Sequence, residues 1–172
     1  MTVMVDRFPS KQELFLVFSA CVFPIHFWIS LVLLYKFPSL ILKANIWQIL
    51  GVFAYVFVFT LIESVCLFGS LLLISVFLPT RFFRDRFVYR GTALAISIAL
   101  FAFIINIWIL LESEWILTFL TVLLLFLLIY ILRRPKESAL MNTFAERLTV
   151  ISALFIFTDM LSLFYIMLRQ FI

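Results

Sequence analysis

Residues Trp47 to Leu78 read WQILGVFAYVFVFTLIESVCLFGSLLLISVFL, 32 positions with a single ionisable side chain, Glu63, at the midpoint. In hydrocarbon a run of this kind satisfies its backbone N–H and C=O groups only as a helix. At 1.5 Å per residue it measures roughly 48 Å, more than a bilayer core, so it must tilt, bend or project. The Gly69-Ser70 pair is the expected bend.

The rest of the chain has the same character. Of 172 residues, 66% are hydrophobic and 13% charged, and the mean hydropathy is +1.26. That balance excludes an ordinary soluble domain. Apolar runs recur along most of the length, and no segment shows the alternation of barrel strands, so the fold class is all-α and polytopic. The longest polar interval, Arg133 to Arg147, is 15 residues and leaves no room for a soluble domain. The whole of 1–172 therefore reads as one transmembrane helical domain.

The expected crossings are 14–35, 47–78, 92–111, 115–132 and 148–168, five in all. Ser10 and Glu13 have capping-box spacing and start the first. Pro24 within it removes a helix hydrogen bond and predicts a kink. Residues Lys36 to Asn45 read as an interfacial connector. Glu112-Ser113-Glu114 is a tight turn, and Thr143 with Glu146 offers a capping box for the last crossing. Phe18-Ser19-Ala20-Cys21 loosely resembles a bacterial lipoprotein signal, but the apolar run continues past the cysteine and favours an uncleaved helix. Pro24 to Trp28 is similar to a short run in antiporter-like subunits of respiratory complex I; it covers five residues, and nothing is carried over from it.

Basic residues set the expected orientation. With the N-terminus inside, ten of the 13 fall on the inner side: Arg7, Lys11, Arg81, Arg84, Arg86, Arg90, Arg133, Arg134, Lys136 and Arg147. Lys36, Lys43 and Arg169 fall outside. The split follows the positive-inside rule and gives an N-in, C-out protein, as in a bacterial-type inner membrane. Arg81, Arg84, Arg86 and Arg90, interleaved with Phe82, Phe83, Phe87 and Tyr89, suit the lipid headgroup layer, as do Arg133 and Arg134. So short a loop does not favour nucleic acid.

Three ionisable side chains lie near the midplane: His26, Glu63 and Asp159. Each centres a polar stripe: Ser19, His26 and Ser30; Thr60, Glu63, Cys66 and Ser70; Ser152, Asp159 and Ser162. A charge at mid-bilayer costs about 2.5 to 3.5 kcal/mol even on the lenient scale, so the expectation is that crossings 1, 2 and 5 pack with these faces together. The cluster is either a proton or cation site or a neutral packing lock. Ala95, Ala99, Ala102 and Asn106 form a small-residue face on the third crossing, with Asn106 able to bond across it.

Enzyme motifs are absent: there is no nucleophile elbow, zinc-protease motif or phosphate-binding glycine loop. One histidine excludes multi-histidine metal chemistry from this chain, and no metal or other cofactor is expected, although His26 alone could ligate a haem or chlorophyll. Cys21 and Cys66 read as small residues within apolar runs. The expected role is that of a non-enzymatic accessory or assembly subunit of a larger membrane complex, with lipid and other membrane subunits or copies of itself as partners. The alternative is a small proton- or cation-coupled transporter or channel using Glu63 and Asp159.

Overall fold

The computed structural model describes residues 9–77, 87–111, 118, 120–126 and 138–170, and the side chains of all these except 106–111 and 138–141. The described residues are helical with no strand among them. Helix α1 spans Lys11–Lys43, α2 spans Ile46–Phe77, α3 spans Phe87–Leu111 and α4 spans Ser138–Arg169. Residues 120–126 are helical as well. Four stretches are long and apolar enough to cross a membrane: Lys11–Lys43, Ile46–Phe77, Phe87–Ile105 and Asn142–Arg169.

The start of α1 follows from its cap. Ser10 Oγ accepts the Glu13 backbone N–H at 3.3 Å while the Glu13 carboxylate accepts the Ser10 N–H at 2.8 Å, so two orphan donors of the first turn are satisfied. The helix then runs through both Pro24 and Pro38 to Lys43. The expected connector at 36–45 is thus mostly helix, and the link to α2 is only Ala44 and Asn45. Asn45 closes it: its carboxamide oxygen accepts the Ile46 N–H, and its own N–H donates to Gln48 Oε1 at 3.0 Å.

Helix α2 is continuous through Gly69-Ser70. Its serine and threonine hydroxyls are spent on its own backbone: Thr60 donates to the Val56 carbonyl, Ser64 to that of Thr60, Ser70 to that of Cys66 and Ser75 to that of Leu72. None is left unsatisfied in an apolar surround. Two other starts also differ from expectation. Helix α3 begins at Phe87 rather than 92, and Phe87, Val88 and Tyr89 are buried against protein rather than set in headgroups. Helix α4 begins at Ser138, so Thr143 and Glu146 lie within it and are not its cap. Of the expected crossing 115–132, Thr118 and 120–126 are described, and they are largely exposed; the turn at 112–114 lies outside the described residues.

Helix directions can be read from contacts. Phe18 meets Phe68 and Phe37 meets Phe53, so α1 and α2 are antiparallel. On α3, Gly91 lies against Val17, and Phe103 packs edge-on to Trp28 at 5.0 Å, so α3 runs parallel to α1. Helix α4 also runs parallel to α1, because Ser19 meets Ser152 and His26 meets Asp159. The core forms where these helices converge, around Val17, Ala20, Cys21, Leu71, Phe87, Ala95 and Leu148. A Cβ added to Gly91 would lie 2.9 Å from Val17 Cγ1, so the missing side chain lets α1 and α3 approach closely here. The small-residue face expected farther along α3 does not extend: Ala95 is buried, Ala99 half-buried and Ala102 exposed.

Candidate functional site

The site is a polar seam between α1 and α4. Along α1, Ser19, His26 and Leu33 are buried at intervals of seven residues; along α4, Ala145, Leu148, Ser152 and Asp159 are buried at intervals of three, four and seven. Parallel helices with this spacing keep matched positions opposite each other over successive turns. Two matched pairs therefore form, each 133 residues apart in sequence. Ser152 Oγ donates to the Ser19 carbonyl at 2.8 Å. Two turns farther on, His26 Nε2 lies 3.0 Å from both Oδ1 and Oδ2 of Asp159.

Both partners of the second pair are fully buried. The imidazole lies between aromatic rings, 5.1 Å from Phe155 and 6.3 Å from Phe57 by centroid. Its other nitrogen, Nδ1, is 2.9 Å from the Val22 carbonyl oxygen. A carbonyl oxygen only accepts, so Nδ1 carries a hydrogen and donates it. One further proton is then shared between Nε2 and the carboxylate. With it on nitrogen, the pair is imidazolium and carboxylate; with it on oxygen, imidazole and carboxylic acid. Both forms have zero net charge, which is what allows the pair to be enclosed.

No known protein family, characterised protein or solved structure matches this chain. Its chemistry rests on this geometry alone.

Glu63 does not join the pair. It is exposed, and it makes no hydrogen bond or ion pair with any described residue. The α2 residues that turn inward near this level are Thr60, Ser64 and Leu71. At 100° per residue Glu63 stands about 80° around the helix from their mean direction. Two polar stripes thus run along α2. Thr60 and Ser64 face the bundle, whereas Glu63, Cys66 and Ser70 face outward. Since Phe18 lies beside Phe68 and His26 beside Phe57, Glu63 sits at a level between Phe18 and His26, well inside the span.

The remaining candidates divide. Ser30 and Ser162 are half-buried at the edges of the seam. Arg90 is half-buried in the first turn of α3. Asn106 lies on α3, but its side chain is outside the described set, as are Arg81, Arg84, Arg86, Arg133 and Arg134. Both ring nitrogens of His26 are engaged within the fold, Nδ1 by the Val22 carbonyl and Nε2 by Asp159. Among the described residues no group of three or more His, Cys, Asp or Glu side chains could hold a metal.

Proposed function

We propose that the chain is an integral membrane protein that acts through helix contacts, as an accessory or assembly subunit of a larger complex in a membrane of the bacterial inner-membrane type. One observation carries this reading: Glu63, an ionisable side chain deep within a span, faces away from the bundle. A carboxyl group held against acyl chains is costly, so it favours a protein surface opposite it. Extraction of the tagged full-length chain from its source membrane in mild detergent, followed by native mass spectrometry, tests the proposal. The expected species is a protein complex that Glu63→Leu disrupts; a monomer carrying only lipid contradicts it.

The same reading has five crossings with the N-terminus inside and the C-terminus outside. Its support is directional. Because α1, α3 and α4 are parallel, the chain leaves α3 at one end of the bundle and enters α4 at the other. Residues 112–137 have to cover that distance, and 26 residues of helix reach about 39 Å. The ten-to-three distribution of basic residues supports the inside assignment of the N-terminus. Reporter fusions after Ala44 and after Gln170 are both expected outside; a cytoplasmic reporter at either position contradicts the topology.

A second reading, proton- or cation-coupled transport, has the shared proton of His26 and Asp159 in its favour. Its test is flux through the purified chain in liposomes. Loss of flux in Asp159→Asn and Glu63→Gln, with folding intact, favours transport; normal flux in both removes it.

A further inference from the structure

We infer that Arg169, seated over Gly51 where α4 ends beside the start of α2, binds the headgroup phosphate of an anionic phospholipid, with Lys36 and Lys43 as flanking charges. The inference does not depend on the helix-contact reading, and failure of either leaves the other standing.

The end of α4 is fastened to the start of α2. Tyr165 donates its hydroxyl to the Trp47 carbonyl at 3.1 Å. One turn farther along α4, Arg169 reaches across to α2, where a Cβ added to Gly51 would lie 2.6 Å from Nη1. Among the described residues, the only atoms of another helix within 4 Å of that point belong to this guanidinium. A side chain at position 51 would take its place, so the glycine is what seats it. Arg169 is nevertheless exposed, and it makes no hydrogen bond or ion pair with any described residue. A guanidinium held in this way presents N–H donors in a rigid fork whose geometry matches phosphate.

The charges around it have one sign. Because Phe37 meets Phe53 and α1 and α2 are antiparallel, Lys36 and Lys43 lie within about one turn of Gly51 in depth, one on each side of it. Both are exposed. The described carboxyls on the two helices that form the notch are remote: Glu63 is about 18 Å along α2 from Gly51, and Asp159 about 15 Å along α4 from Arg169. An anion is therefore called for, and depth names its source. Gly51 lies about 7.5 Å inside the first residue of α2, and Leu42, Ile46 and Trp47 are exposed around the α1–α2 turn. Apolar and aromatic side chains exposed among cations belong to the headgroup layer, where phosphate is joined to acyl chains. A zwitterionic lipid brings its own cation to that phosphate. An anionic lipid brings none, and so it is the better match for three positive charges.

The test titrates the full-length chain in mild detergent with phosphatidylglycerol or phosphatidylcholine of the same acyl chains and reads bound lipid by native mass spectrometry. Phosphatidylglycerol is expected to bind about tenfold more tightly. Arg169→Gln should bring the two lipids within about twofold of each other, with smaller effects from Lys36→Gln and Lys43→Gln. Gly51→Ala keeps every cation but displaces the guanidinium, and it should lower the preference about threefold. Equal binding of the two lipids, or a preference that Arg169→Gln leaves unchanged, overturns the inference. A preference untouched by Gly51→Ala does so too, because dispersed charge then suffices. Displacement of the lipid by inorganic phosphate overturns the phospholipid as occupant. Glu112 and Glu114 follow α3 directly and lie outside the described residues; a preference that appears only in Glu112→Gln with Glu114→Gln means that the chain itself answers Arg169, and likewise overturns the inference.

Discussion

The α1–α4 seam and the outer face of α2 each hold an ionisable side chain at similar depth, and the two are treated in opposite ways. Asp159 is fully buried with its carboxylate against His26; Glu63 is exposed and has no partner among the described residues. Residue chemistry does not account for this. What differs is what lies opposite. Asp159 belongs to a stripe at three- and four-residue steps whose counterpart on a parallel helix carries a base seven residues from a serine. Glu63 belongs to a stripe with no counterpart among the described residues. An apolar surround thus leaves a carboxyl group either to be neutralised within the fold or to be answered from outside it.

The seam is the more sensitive of the two to substitution. Replacing His26 with leucine leaves Asp159 enclosed with no partner, and it should cost about 3 to 5 kcal/mol in unfolding experiments in detergent. The double replacement His26→Leu with Asp159→Leu should recover most of that loss, because no polar group is then left behind. Glu63→Leu is expected to leave the stability of the separated monomer unchanged or raised. A loss comparable to that of His26→Leu would mean that Glu63 has a partner within the chain.

Two smaller effects concern the contacts of α1 with α3 and α4. Gly91→Ala introduces a Cβ within 3 Å of the Val17 methyl groups. It should cost about 1 to 3 kcal/mol, as overpacking does, and Val17→Ala in the same chain should relieve it. Ser152→Ala removes the hydrogen bond to the Ser19 carbonyl at a cost of about 0.6 kcal/mol, the average for such bonds between membrane helices. Thermal unfolding of each variant beside the parent checks both.

Much of this was legible in the sequence. Run length and composition gave the helical class, and the Ser10–Glu13 cap marked the start of α1 to within a residue. Depth arithmetic singled out His26, Glu63 and Asp159 together, of which His26 and Asp159 pair. The seven-residue spacing from Ser19 to His26 recurs from Ser152 to Asp159 and could have paired the two helices. The facing of Glu63 was not legible, because α2 is apolar all round and carries two polar stripes; only the packed neighbours select which one turns inward. The early starts of α3 and α4 were hidden for a related reason. Arg90 and Arg147 lie inside those helices, and charged residues next to apolar runs read as span ends although the helices continue through them. The close approach at Gly91 depends on Val17, 74 positions earlier, and has no local signal.

Of the three ionisable side chains near mid-span, His26 and Asp159 answer each other and Glu63 answers neither. Double-mutant cycles on unfolding of the monomer in detergent test it directly, using His26→Leu, Asp159→Leu and Glu63→Leu singly and in pairs. The predicted result is a coupling between His26 and Asp159 in the upper part of the usual range of about 0.5 to 3 kcal/mol, with the two pairs that include Glu63 additive. Additivity of His26 with Asp159 would mean that the two do not pair, and coupling of Glu63 to either one would place Glu63 within the seam.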